Sequence, residues 1–165
     1  MEIFANHAHV FPDDVRAEGS IDSLLGLMDT CGISRAVCFA PHRSHVGDRG
    51  YPEPNEWLAE AIADADRLTG FACIRPVDDD AIERLGMAVE MGLRGCKIHP
   101  ASDKFDILDE RAMDFYAAAE EMGVVLDFHT GPHWYRIKHY HPLGFDEIAY
   151  RFPRLKLVLE HLGGL

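Results

Sequence analysis

Short apolar runs recur along the chain at 2–6, 35–40, 70–75, 93–98, 124–129 and 155–160. The stretches between them place apolar residues at helical spacing. Ile21, Leu24, Leu25 and Met28 follow i, i+3, i+4, i+7, as do Leu58, Ala61, Ile62 and Ala65, and Ile82, Leu85, Gly86 and Val89. A fourth stripe joins Ala112, Phe115, Tyr116, Ala119 and Met122, and a weaker fifth runs through Phe145, Ile148, Ala149 and Phe152. The pattern predicts six strands alternating with five helices. Gly32, Gly92 and Gly123 each close a helix and are followed at once by an apolar residue, the signature of a left-handed helix end turning into a strand. Asp109 is placed to cap the fourth helix, and Pro153 stops the fifth.

Strand–helix alternation with short joints requires parallel strands joined by right-handed crossovers. A doubly wound sheet and a closed barrel both satisfy that pattern. The first run leads into Asn6-His7-Ala8-His9-Val10-Phe11-Pro12, and the chain contains no GxGxxG or GxxxxGK[ST] phosphate loop. The expected fold is therefore α/β, of the (β/α)8 TIM-barrel type, with six of the eight βα units in a single barrel domain over residues 1–165. At about 30 residues per unit, two more would bring the chain to roughly 230–250 residues, the usual size of such barrels. Truncation after strand six would leave strands one and six as open edges. A second copy of the chain or a completing C-terminal segment is the expected partner.

Composition narrows the function classes. Sixteen Lys and Arg stand against 28 Asp and Glu among 165 residues, a net charge of −12. Such a surface repels phosphate backbones, which argues against nucleic acid and anionic membranes as partners. No apolar run approaches the roughly 18 residues of a membrane span, and residues 1–10 carry no signal-like block, so a cytoplasmic location is expected. Cys31, Cys38, Cys73 and Cys96 form no CxxC pair and read as small hydrophobes in a reducing compartment.

The ten histidines change the picture most. His7 and His9 end strand one, His42 and His45 follow strand two, His99 follows strand four, and His129 ends strand five. His133, His139 and His141 lie in the loop behind it, and His161 ends strand six. In a parallel barrel these positions share the face where active sites form. His7 and His9 are two apart on an extended segment, so their imidazoles point to one side, within reach of one small cation. Loop preference accounts for His42, His45, His139 and His141. It does not account for His7, His9, His129 and His161, because a buried unpaired imidazole costs stability.

Taken in order, Asn6-His7-Ala8-His9, Gly95-Cys96-Lys97-Ile98-His99-Pro100, Asp127-Phe128-His129-Thr130-Gly131 and Glu160-His161-Leu162-Gly163-Gly164 resemble the amidohydrolase superfamily. The nearest branch is the amidohydrolase-2-like group of metal-dependent hydrolases and decarboxylases. The resemblance implies a divalent metal, zinc or manganese, one ion or two, with His7, His9 and His129 as ligands. His161 would bind a second ion or hold the attacking water. Lys97 stands where two-metal members carry a carboxylated, bridging lysine; an inward lysine reaching solvent or a substrate carboxylate is the other reading. The family's acid from strand eight has no counterpart by resemblance. Asp127 shares the parity of His129 and is the expected substitute, whereas alternation turns Glu160 away.

The implied activity is hydrolysis of an amide, ester or lactone carbonyl in a small substrate, with or without a carboxylate, by water acidified on the ion. His99, Arg43, His133, Trp134 and Arg136 are candidate substrate contacts, with the two arginines as carboxylate clamps. Decarboxylation by the same residues, or an inactive barrel remnant serving as an interaction module, are the other readings.

Overall fold

The computed structural model describes residues 2–46 and 53–163. The chain divides into two compact units, Met1–Cys73 with Glu90–Arg94, and Ile74–Val89 with Gly95–Leu165.

The first unit begins with strand β1 (Phe4–His9), a short helix α1 (Asp13–Arg16) and helix α2 (Ile21–Cys31). Strand β2 (Arg35–Phe39), a single turn α3 (Arg43–Val46), helix α4 (Pro54–Ala61) and strand β3 (Leu68–Cys73) follow. Ser20 caps α2 by accepting from the Ser23 amide, and Gly32 ends it at φ 67°. The strands run parallel in the order β1-β2-β3. Ala36, Cys38 and Phe39 of β2 and Phe71 and Ala72 of β3 are buried, as expected of parallel strands covered on both faces.

Strand β1 continues past the apolar run 2–6 through His9, so the histidine pair ends the strand as the sequence predicts. A bulge at Asn6 and His7 sets two residues against one. Ala5 pairs with Ala36, but Ala8 pairs with Cys38. Phe4 remains 59% exposed, as an edge strand leaves it.

In the second unit, helix α5 (Ala81–Glu90), strand β4 (Gly95–Ile98), the turn α6 (Pro100–Asp103), helix α7 (Glu110–Met122), strand β5 (Val125–Phe128), helix α8 (Pro142–Arg151) and strand β6 (Lys156–Leu159) follow in order. A 3₁₀ turn, Glu160–Gly163, continues from β6. The strands are again parallel, in the order β4-β5-β6. Asp109 caps α7 through the Arg111 amide, and Gly123 closes it at φ 70°, as the sequence requires. Ala112, Phe115, Tyr116 and Ala119 form its buried face. The stripe on α5 is rotated from expectation. Ala81, Leu85 and Ala88 are buried while Ile82 is exposed, because small side chains let that face approach its neighbours closely. No helix among the described residues is long and apolar enough to cross a membrane.

Candidate metal centre

In the first unit, extended backbone at the end of β1 brings the two histidines together. His7 Nε2 lies 3.0 Å from His9 Nε2, and both rings pack edge-on against Phe39 of β2, at 4.8 and 5.3 Å between centroids. The same-side placement read from their spacing is realised, with His7 itself inside the bulge. Arg43, on α3, is exposed and ion-paired with Glu53, so it is already engaged by a protein carboxylate. His42 Nδ1 accepts from the Ser44 amide and is a turn former.

The second unit holds a denser constellation. Lys97 of β4 and Asp127 of β5 are register partners, and Lys97 Nζ stands 3.3 Å from Asp127 Oδ1. Lys97 also pairs with Glu160 Oε1. All three are buried, at 3%, 2% and 8% exposure. Lys97 therefore does not reach solvent; it lies between two carboxylates. Removal from water pushes the Asp127 carboxyl up to about 7, and its hydrogen bond with Glu160 adds to this, against the opposing pull of Lys97.

Glu160 was expected to face away, and the structure corrects this. The chain leaves its extended path at Leu159, enters the 3₁₀ turn, and passes through His161 at φ 51°, so alternation no longer applies. For the same reason His161 lies beyond the strand rather than ending it. The fully buried Thr130 hydroxyl donates to the Glu160 carbonyl and pins this turn to the loop after β5. Neither Thr130 nor Glu160 was identifiable from strand parity. The Thr-Gly and Gly-Gly steps beside them mark tight turns but do not fix where a side chain points.

Around Glu160 the imidazoles converge. Its Oε2 lies 3.5 Å from His129 Nδ1 and 3.8 Å from His161 Nε2. His129 is held by its amide, which donates to the Ile98 carbonyl at 2.9 Å, and its ring stacks on His99 at 3.9 Å with planes 12° apart. His133 completes a second group: ligand atoms of His99, His129 and His133 lie within 4.8 Å of one another, as do those of His129, Glu160 and His161. His99 Nδ1 accepts from the Ser102 amide, so one of its nitrogens is committed to the α6 turn.

The loop after β5 is organised by buried Tyr140, whose hydroxyl accepts from the His133 amide and donates to the Tyr135 carbonyl. His139 Nδ1 bonds Asp106 at 2.7 Å, and His141 caps α8; both are structural. Trp134 is 86% exposed with its ring against His133, and Arg136 is exposed.

The chain matches the amidohydrolase family over residues 7–165. It is 30% identical to a dihydroorotase of Helicobacter pylori (strain HPAG1), over 67% of this chain and 35% of that protein. A TIM-barrel protein from Bordetella bronchiseptica superposes with a TM-score of 0.75 at 18% identity, covering 95% of this chain and 66% of the other. A 5-carboxyvanillate decarboxylase from Novosphingobium aromaticivorans, solved with bound manganese, superposes with a TM-score of 0.73 at 15% identity, covering 98% and 66%. The chain thus spans about a third of the dihydroorotase and about two thirds of each barrel. The fold is of the TIM-barrel type, with six strand–helix units in this chain.

Proposed function

We propose, from the premise that the chain belongs to the amidohydrolase family, that it carries metal-binding and proton-handling groups of a metal-dependent hydrolase acting on a carbonyl of a small, carboxylate-bearing amide, ester or lactone. The observation that carries this reading is the histidine pair on β1. Two Nε2 atoms 3.0 Å apart suit one cation about 2.0–2.1 Å from each. His7 and His9 are the proposed ligands within the first unit and His129 is a proposed ligand within the second, with zinc or manganese as the metal. A divalent ion supplies Lewis acidity toward a carbonyl oxygen and lowers the pKa of water.

The remaining roles fall to the chain's own groups. His161, with its side chain about half exposed, exchanges a proton with the reacting water or leaving group. Asp127, its carboxyl near 7, stores a proton beside Lys97. His99, His133, Trp134 and Arg136 contact the substrate, and Arg43 does so only by exchanging Glu53 for a substrate carboxylate. The exposed edge at Phe4 favours a second copy or a completing segment as partner.

Similarity to a dihydroorotase supports hydrolysis of a cyclic amide, while the likeness to a decarboxylase keeps loss of CO2 from an aromatic acid as the second reading. Zinc- or manganese-reconstituted protein is to be assayed on cyclic amides, lactones and hydroxybenzoates, following ring opening and CO2 release separately. Ring opening that falls at least about a hundredfold in His7→Ala is expected. CO2 release alone transfers the chain to the decarboxylase reading, and binding of less than about a tenth of an equivalent of metal leaves only an inactive remnant.

A further inference from the structure

We propose a binding site for a small zwitterion, an amino acid with an aliphatic side chain, in a hollow of the first unit at the start of β3. It goes beyond the metal-dependent reading and does not rest on it. The hollow is built from the joints that lead from helix into strand and uses none of the histidines.

The hollow has a volume of about 420 Å³, within the roughly 300–1,000 Å³ of small-molecule sites. Ile62, Leu68, Met91 and Leu93 give it an apolar lining, and Gly70 sets its shape. A Cβ at Gly70 would meet the ends of Ile62 and Leu93 at 2.6 Å, so bare backbone there lets both side chains settle on the strand. The walls are tied in place by the backbone. After α4 the chain runs through successive turn bonds, from the Ala63 amide to the Glu60 carbonyl, Ala65 to Ile62 and Leu68 to Ala65, at 3.2, 2.9 and 2.8 Å. The facing joint is fixed to β3 by the Arg94 amide, which donates to the Gly70 carbonyl at 2.9 Å. A preformed hollow spares a ligand the cost of ordering it.

Charge decides the ligand. Asp64 and Asp66 line the wall after α4, where the last carbonyls of that helix add negative potential. Arg94 lines the wall supplied by the joint before β4. All three are exposed, and among the described residues none forms an ion pair, with each other or with a neighbour. Arg67, on the same joint as the two aspartates, is different: its guanidinium is spent on Asp29 and on the Ile33 and Ser34 carbonyls. A net charge of −12 disfavours a purely anionic ligand, and Arg94 disfavours a purely cationic one. A carboxylate on Arg94, an ammonium toward Asp64 and Asp66, and an aliphatic body on Ile62, Met91 and Leu93 satisfy the whole lining. Met91, flexible and polarisable, adapts to aliphatic groups of varied shape.

The test is titration of the full chain with L-leucine and with L-methionine, followed by calorimetry and by amide NMR. Saturable binding with a dissociation constant below about 10 mM is expected for at least one of them, with shifts centred on the Ala65, Gly70 and Arg94 amides. N-acetylleucine and leucine amide each lack one charge and should bind at least about threefold more weakly than leucine, the scale of exposed ion pairs. Arg94→Gln should weaken leucine to the same degree and no longer distinguish it from leucine amide. Asp64→Asn/Asp66→Asn should likewise remove the distinction between leucine and N-acetylleucine. These substitutions fall on exposed side chains, so folded variants are expected. Failure of both amino acids to saturate overturns the inference. Equal binding of leucine and its two derivatives overturns it as well, since that leaves only an apolar crevice. Neither result bears on metal binding or turnover, so the two readings stand or fall separately.

Discussion

Replacing Lys97 by methionine probes the buried triad directly. The substitution keeps most of the side-chain volume and removes one charge from between Asp127 and Glu160, both almost wholly buried. The gross attraction lost is large: at 3.3 Å and an effective dielectric constant of 20, the Lys97–Asp127 pair alone is worth roughly 332/(20 × 3.3), or about 5 kcal/mol. The net loss is smaller, because desolvation of the ammonium is also relieved, and removing one partner of a buried pair costs about 3–5 kcal/mol.

Asp127 softens this cost below neutral pH. Its folded-state pKa of about 7 is raised from 3.8, so its contribution to stability is complete below about 4 and is lost as pH rises toward 7. At pH 5 Asp127 is mostly protonated and gains little from the ammonium; at pH 8 it is mostly ionised, and Lys97 offsets its charge beside Glu160. Urea unfolding of metal-free protein, followed by circular dichroism, should therefore show Lys97→Met destabilised at both values, more at pH 8 than at pH 5. Equal destabilisation at the two values, or a variant as stable as the parent at pH 8, would refute the triad as described.

Two further changes test the frame that holds the site. A side chain at Gly70 would meet the ends of Ile62 and Leu93 at 2.6 Å, so Gly70→Ala should cost about 1–3 kcal/mol by overpacking, read as a lower urea midpoint in the first unit. A gain in stability would show that those side chains move aside freely. Asp109→Ala should cost about 1 kcal/mol by uncapping α7, with faster hydrogen exchange at the Arg111 amide; unchanged exchange there would assign the cap to another group.

The regular parts of the fold were legible because they rest on local rules. Apolar periodicity located the helices, and Gly32 and Gly123 adopt the left-handed ends their positions demand. Parity along strands put His7 beside His9, while the pairing of Lys97 with Asp127 emerges only from the register of β4 with β5. The misreading of Glu160 has a physical cause: parity fails where the backbone stops being extended, and the 3₁₀ turn after Leu159 inverted its expected direction. The loop histidines behave as loop preference predicts. His42, His99 and His141 accept from backbone amides at Nδ1, and His139 binds Asp106, so several imidazoles act as turn and loop fasteners. Composition cannot distinguish these from ligands.

The bulge between Ala5 and Ala8 gives β1 two separately phased ladders, one running from Phe4 and Ala5 and one from Ala8 and His9. An extra residue of slack between them decouples the histidine end from the base of the strand. A change in the position of either imidazole can be absorbed at Asn6 and His7, leaving the pairing of Phe4 with Arg35 undisturbed.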